Sequence, residues 1–369
     1  MSSLADSHPG ARPGFDVEVP ADDPGAAIEA MFDLDLTDGL PVVPPTGARV
    51  AAMIDAGPWD PDEPLLIEQT RDTAVSTHQA AVCAVMAGAR PDYFPVIGTV
   101  LQAIGAPEFY LHGPLTSTGG ATVLIIVSGP EASRIGVHGG PNLFGPGFRA
   151  NATIGRAVRL VQLLALSARP GELDQSTQGW PGKFSLCFTE NTDASPWEPL
   201  HVSLGHDPSA STVTVFAAES GHNVVNHAAT DPHILLDTFA DTMAALGSFS
   251  PGRSVVVIAP EHAARLRSMT RRQVQEYLYQ HAVRDLATLK RTRKLEDDPT
   301  ADHDWTGRWL PIADLTVRPG DESILVHRGW SADDILVAVG GGAAGGHSSF
   351  FPSWSRGRSV AFITREIPT

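Results

Sequence analysis

The sequence predicts an α/β fold: two α/β halves, the second Rossmann-like, with a mostly parallel sheet and helices on both faces. Three observations carry this. Beyond about Val202, short β-branched runs alternate with helical spacings (STVTVFAA, DPHILLDTFADTMAALG, RSVVVIAP), the order expected of a parallel sheet covered by helices. The runs VVVIA and VTVFA lack polar alternation, as strands covered on both faces do. At 369 residues the chain also exceeds one ordinary core.

Residues 1–25 are rich in Pro, Gly, Ser and Asp. Ordering them would not repay its entropy cost, so they read as a disordered tail. Residues 26–201 then form an N-terminal α/β domain and 202–369 the Rossmann-like one. Ala26–Leu36 has helical spacing and stops at Asp38-Gly39, before the extended LPVVPPT. TAVSTHQAAVCAVMAGA and FPVIGTVLQAIGAP read as helices whose small residues allow close packing, the second closed by Gly105 and Pro107. TVLIIVSGP (Thr122–Pro130) is a buried strand, and Asn151–Ala168 a strongly apolar helix with Asn151 as N-cap. In KFSLCFTEN, Phe184, Leu186 and Phe188 alternate with Ser185, Cys187 and Thr189.

In the second half the strand STVTVFAA precedes a helix opened by Asp231-Pro232. The strand RSVVVIAP, the short helix EHAARLRS and one long helix, TRRQVQEYLYQHAVRDLATLKR, follow. The charged linker KLEDDPTADHD and a Trp-containing segment lead to the strands ILVAVGGG and SVAFITREI. VVVIA is expected at the centre of its sheet, parallel to VTVFA.

Twenty-six basic against 42 acidic residues give a net charge of -16, which repels phosphate backbones and anionic lipid and argues against nucleic acid and membrane as partners. No apolar run reaches the ~18 residues of a membrane span. Two cysteines, Cys83 and Cys187, and a start without signal-peptide character point to the cytoplasm. Each thiol sits among apolar residues with nothing basic beside it, as packed, unreactive thiols do.

Ala338–Phe350 reads AVGGGAAGGHSSF, and Gly340, Gly342 and Gly345 match the G-x-G-x-x-G spacing of a dinucleotide site. That motif needs a following helix and an acidic residue about 20 positions on. HSSFFPSWSRG supplies neither, so no response to NAD or NADP is expected. The glycines suit instead a loop whose backbone approaches a ligand, with Gly345, Gly346, His347 and Ser348 at its rim.

In open α/β sheets, ligands bind beyond the carboxyl ends of the strands. Glu219 and His222 follow VTVFAA, Glu261-His262 follow VVVIAP, and His347 follows the glycines. His222 and His347 are the expected proton carriers, because imidazole titrates near neutrality. No cofactor is predicted. A metal ion is the alternative use of His222, His227 and His233, but residues five apart on a helix diverge by about 140°, so they would have to converge in a loop.

The first half offers FGPGFRANATIGRA, where a helix start with Arg149, Asn151, Thr153 and Arg156 suits an anion. His112, Thr118, Gly119 and Gly120 precede the strand TVLIIVSGP, and Glu190 and Asn191 end the strand SLCFT. Glu190 there suits a general base. Each half alone is an incomplete site, so one shared pocket is expected between them.

The segments TDGLPVVPPTGARV, AVMAGARPDYFPVI, GPGFRANATIGRA, CFTENTDASPWEPL and GGAAGGHSSFFPSW resemble a bacterial family related to the UGSC-type (seleno)proteins and, more distantly, to the substrate-activating subunits of glycine and betaine reductases. The resemblance covers roughly the first two hundred residues and the C-terminal loop. It implies an α/β enzyme acting on a small molecule. The Gly-Ser-Cys stretch for which that group is named is absent, and the two thiols stand singly in AVCAV and SLCFT. The leading expectation is a hydrolase or lyase that cleaves a carbon–heteroatom bond in a small, carboxylated metabolite, through His347 or His222 assisted by Glu190 or Glu219. A thiol-dependent reductase and a non-catalytic binding protein are the alternatives, and a homo-oligomer is compatible with all three.

Overall fold

Alternation along Thr122–Ser128 sets the architecture, because every residue of this strand is buried. Leu124 and Ile126 turn into one apolar cluster, and Val123, Ile125 and Val127 into another. A strand with two dry faces needs a layer on each. The computed structural model describes residues 23–245, 247, 252–295, 315–354 and 361–368. The expected tail therefore lies outside the described residues up to Asp22, as do most of the charged linker and the Trp-containing segment after it.

In chain order, α1 (Pro24–Asp33) starts on Asp23, whose carboxylate accepts from the Gly25 N–H. Next come α2 (Gly47–Ile54), the antiparallel pair β1 (Pro64–Glu68) and β2 (Thr73–Ser76), and α3 (Thr77–Met86). Ser76 and Gln79 cap α3 reciprocally, so TAVS, expected as helix, is the strand that delivers the cap. Then follow α4 (Phe94–Ile104), α5 (His112–Thr116), β3 (Thr122–Ser128), α6 (Pro130–Arg134), α7 (Arg149–Leu160), β4 (Cys187–Phe188), α8 (Leu200–Ser203) and β5 (Thr212–Ala218). The remaining elements are β6 (His222–Val225), α9 (Pro232–Ala244), β7 (Ser254–Ile258), α10 (Pro260–Arg265), α11 (Arg271–His281), β8 (Val283–Asp285), α12 (Leu286–Thr292), β9 (Leu325–His327), β10 (Ile335–Val339), β11 (His347–Pro352) and β12 (Ile363–Glu366).

Two four-stranded sheets face each other. The first has the order β12-β5-β3-β4 and the second β10-β7-β11-β6. Leu124, Ile126, Phe188 and Phe216 of the first sheet meet Val255, Val257, Leu336, Ala338 and Phe351 of the second in one cluster. Behind the first sheet, α2, α3, α4 and α7 pack on Val123, Ile125, Val127 and Val215. Behind the second, α9, α10 and α11 pack on Val256, Ile258, Val337, Val339 and Phe350. The layers run helix, sheet, sheet, helix. Among the described residues no helix is long and apolar enough to cross a membrane.

The α/β class holds, and the second sheet corrects its details. Helices cover one face and the other sheet covers the opposite one. VVVIA is central, as expected, but its parallel neighbour is β10. VTVFA belongs to the first sheet, antiparallel to β3. The first sheet thus draws strands from both sides of residue 202. β11 inserts antiparallel to both β7 and β6, so the second sheet is mixed. An apolar run signals burial on both faces without saying whether a helix or a sheet does the covering.

Two helix readings also shift. The long helix from Thr270 breaks where Ala282 leaves helical geometry (ψ 71°) and Val283–Asp285 pairs with β9. Asp285 then caps α12 by accepting from the Thr288 N–H at 2.7 Å. α7 starts two residues before Asn151 and has no side-chain cap, because its N-cap position is Phe148, which has no acceptor to offer; Asn151, inside the first turn, accepts from the His138 N–H instead. It ends in a π turn over Val161–Ala165.

One ion cluster pins the segment before β4. Asp174 accepts from Lys183 at 2.6 Å, Arg159 at 3.0 Å and the Ser176 hydroxyl at 2.6 Å. Burial pushes the Asp174 carboxyl up, but the bonds from Lys183 and Ser176 outweigh it and bring the group from 3.8 down to about 2. A depressed carboxyl contributes stability above its unfolded value and loses it as pH falls through the folded one. Acid titration of the fold is therefore expected to show a stability loss between about pH 4 and pH 2 that Asp174→Asn largely removes. Identical acid profiles for the two proteins, followed by circular dichroism, would contradict this.

Candidate functional site

Alternation along β11 decides which side chains reach the site. His347 and Ser349 lie on the side facing the first sheet, with Phe351, and Ser348 and Phe350 on the helix side. A cavity of about 330 Å³ lies on the first side. Its floor is Val257 and Ala259 at the exit of β7, one wall is the glycine loop 340–345, and the other is Asn142–Gly145 from the loop before α7. This is the position beyond parallel strand ends where α/β sheets hold ligands, and the volume lies within the range of small-molecule sites.

His347 is exposed at the cavity edge. Its Nδ1 lies 3.3 Å from the side-chain oxygen of Asn223, an acceptor, a contact that suits the tautomer with the proton on Nδ1 and the lone pair on Nε2. The His227 ring stands edge-on to it, centroids 5.1 Å apart. The loop between β10 and β11 leads into a strand, where a dinucleotide fingerprint would open a helix.

The loop glycines serve different ends. Gly341 (φ 108°) and Gly345 (φ 96°) occupy the left-handed region that side chains avoid. The Gly345 N–H donates to Glu261 at 2.9 Å. A Cβ on Gly346 would stand 2.6 Å from both Asn226 O and His262 Nε2, so that glycine is required by packing. Among the described residues nothing accepts from the N–H groups of Gly342, Ala343 and Ala344.

Behind the loop, His262 is fully buried. Its Nε2 donates to Asn226 O at 2.9 Å, and its Nδ1 accepts from the Ser348 hydroxyl at 2.7 Å, which itself accepts from the Ala259 N–H. Burial pushes this imidazole below its usual range, against the pull of the Asn226 carbonyl. The network joins β6, β7, β11 and α10 and holds Ser348 away from solvent.

Of the expected site residues, the cavity gathers His347 and Gly345, with Gly346 and Ser348 behind them. Asn191 lies next to it: its side chain donates to Gly341 O at 3.1 Å and its N–H to Val339 O at 2.9 Å. Asn151 acts at one remove. Its amide holds both backbone groups of His138, whose ring bonds Pro141 O, and Pro141 packs against Gly342.

The others lie elsewhere. His222 pairs with Phe350, three residues along β11 from His347, about 10 Å at strand spacing. Burial and the charge of Arg328 push its imidazole down. Glu219 lies at that same end, its N–H on Pro352 O and its carboxylate beside Gly119 and Arg328. The anion clamp is closed: Arg156 forks onto Asp38 at 2.7 and 2.8 Å, Arg149 bonds Gly88 O, and Thr153 bonds Arg149 O. His112 lies 3.5 Å from buried Glu68. Thr118 O accepts from Thr177, Gly119 O from Ser176, and Gly120 packs against the Gly179 backbone.

Glu190 is buried, and both its oxygens are engaged. Its oxygens accept from Leu200 N at 2.6 Å, Arg271 at 3.0 Å and Val339 N at 3.2 Å. Burial pushes this carboxyl above its usual range against the pull of Arg271, and pushes Arg271 down in turn. Cys83 and Cys187 are buried, and burial raises both thiols, Cys83 to about 12. Among the described residues no group of three or more His, Cys, Asp or Glu could hold a metal ion.

Sequence reasoning missed Asn223, Ser349 and the wall Asn142–Gly145. The alternation of HSSFF carries the signal for Ser349, and the bulky Leu143-Phe144 within a Pro- and Gly-rich loop carries it for the wall. No family model matches the chain, and neither does any curated protein or solved structure.

Removing one member of a buried ion pair strands the other, at a cost of about 3–5 kcal/mol. Glu190→Ala and Arg271→Ala are each expected to lose stability of that order in urea unfolding, and the double variant less than the sum, since they share one interaction. Additive losses would mean that the pair is not coupled.

Proposed function

We propose that this protein is a small-molecule enzyme of the hydrolase or lyase kind, cleaving a carbon–heteroatom bond with His347 Nε2 as the proton-transferring group. The observation that carries the reading is the cavity itself. It is lined both by His347 and by a loop whose Gly342 and Ala344 N–H groups have no partner among the described residues. Such N–H groups favour an oxygen that carries or gains negative charge, whether a substrate carboxylate or a developing oxyanion. With Arg149 and Arg156 engaged elsewhere, the loop takes over the anion-holding part expected of them. The assistance expected of Glu190 has no free oxygen to provide it.

A non-catalytic binding protein is the second reading, favoured because the partner of His347 among the described residues is the Asn223 amide rather than a carboxylate. Screening small carboxylated metabolites with scissile C–O or C–N bonds separates the two. For an enzyme, His347→Gln is expected to lower kcat by roughly 100-fold or more with an unchanged melting temperature, because the side chain is exposed. Ligand binding without turnover, insensitive to His347→Gln, would favour the binder. The thiol-dependent alternative requires Cys83 or Cys187 to react. Iodoacetamide is expected to leave the native protein unmodified and active, and inactivation on alkylation would favour that alternative.

Ala344→Leu is a cleaner probe of the loop than a change at Gly342 or Gly345. Ala344 lines the cavity, is exposed and already carries a Cβ, whereas a Cβ on Gly342 would crowd Pro141 at 3.2 Å and Gly345 has a positive φ. Loss of ligand affinity with a little-changed melting temperature is the expected result, and retained affinity would remove the loop from the site.

A further inference from the structure

The lining of the cavity at His347 restricts what it can hold. Among the described residues that line it none is an Asp, Glu, Lys or Arg, and His347 is the single titratable side chain. Glu261, which takes the Gly345 N–H, is ion-paired with Arg265 at 2.6 Å and does not line the cavity. A molecule inside therefore finds the N–H groups of Gly342 and Ala344 and one imidazole on its polar side, which suits one negative charge. A second carboxylate, a phosphate dianion or an ammonium would lose its hydration without a counter-charge.

The other wall is apolar and held in place. Leu143 turns into the cluster between the sheets, while Phe144 lines the cavity and stays 41% exposed. Its ring is braced edge-to-face by two buried rings, Phe188 at 5.3 Å and Phe351 at 5.2 Å between centroids. The loop that carries it is fixed by its own bonds: the Gly145 N–H donates to Asn142 O at 2.9 Å and the Asn142 side chain to Pro146 O at 2.8 Å. The His138 ring stacks on Phe148 and bonds Pro141 O at 2.7 Å. The loop thus holds an aromatic surface at the cavity instead of folding it away, and a further ring adds favourably to such a cluster. Val257 and Ala259 continue the apolar surface as the floor.

We propose that the occupant is a small monocarboxylic acid with one aryl-sized apolar group, its carboxylate on the N–H groups of the glycine loop and its ring on Phe144, which makes Phe144 the residue that selects the substrate. This deepens the proposed function and rests on the His347 cavity being its ligand site, though not on any bond being cleaved.

The test uses the full-length protein and four probes, 3-phenylpropionate, propionate, phenylsuccinate and 3-phenylpropylamine, followed by saturation-transfer NMR and titration. 3-Phenylpropionate is expected to bind about tenfold or more tighter than each of the others, and Phe144→Ala to weaken it about tenfold while leaving propionate unchanged, as uncovering part of a buried ring implies. Phe144→Leu keeps an apolar wall and is expected to recover part of that affinity; it also serves if Phe144→Ala disturbs the packing on Phe188 and Phe351. Ala344→Leu, on the glycine-loop wall, is expected to weaken every probe that binds. No binding of 3-phenylpropionate, equal binding of any other probe, or unchanged affinity in Phe144→Ala would each overturn the proposal. Propionate or phenylsuccinate held tightest, in a manner sensitive to Ala344→Leu, would overturn this substrate class while leaving the site in place. 3-Phenylpropionate bound as expected, with no turnover of ring-bearing monocarboxylates that carry a scissile C–O bond, would support the class and count against cleavage alone.

Discussion

The buried carboxylate of Glu190 is the interaction on which the junction of the molecule depends. It leaves β4 of the first sheet and receives the Val339 N–H at the end of β10 in the second, the Leu200 N–H at the start of α8 and the guanidinium of Arg271 at the start of α11. A charge buried this deeply is tolerated only where donors surround it. The same constraint sets the two sheets face to face at the ends where their parallel strands finish. Next to it, Asn191 repeats the stitch through Val339 O and Gly341 O.

Two cavities follow from that junction. Where the sheets meet, alternation fills the space between them with Leu124, Ile126, Phe188, Val257 and Phe351. Beyond the strand ends the alternating side chains no longer meet a facing strand, and loops close over what remains. On one side these are the glycine loop and Asn142–Gly145 around His347, on the other the turns after β3 and β4 around Ser128 and His201. The histidines divide the same way. His262 is held neutral inside a completed network and serves the fold, whereas His347, exposed, has one polar side-chain partner among the described residues.

Much of the local structure is legible in the sequence. The strands TVLIIVS, TVTVFAA and SVVVI, the cap at Asp231 and the helix Phe94–Ile104 stand where spacing and capping residues put them. So does the placing of His347 beyond strand ends. The site is less legible, because residue type marks a candidate without marking its partners. Arg156 looks like an anion clamp until Asp38, 118 residues away, closes it, and Glu190 looks like a base until three donors engage both its oxygens. A side chain's availability depends on partners remote in sequence, which no spacing records.

By itself the sequence determined the α/β class, the burial of both faces of the central strands and the need for glycine in the turn after β10, because periodicity, β-branching and backbone freedom are local properties. Only the tertiary structure decided that a second sheet covers the inner face, that β11 enters antiparallel between β6 and β7, and that His227, not His222, stands beside His347. Those outcomes turn on strand partners chosen across long loops, where the winning arrangement is the one that buries apolar faces while pairing every backbone group.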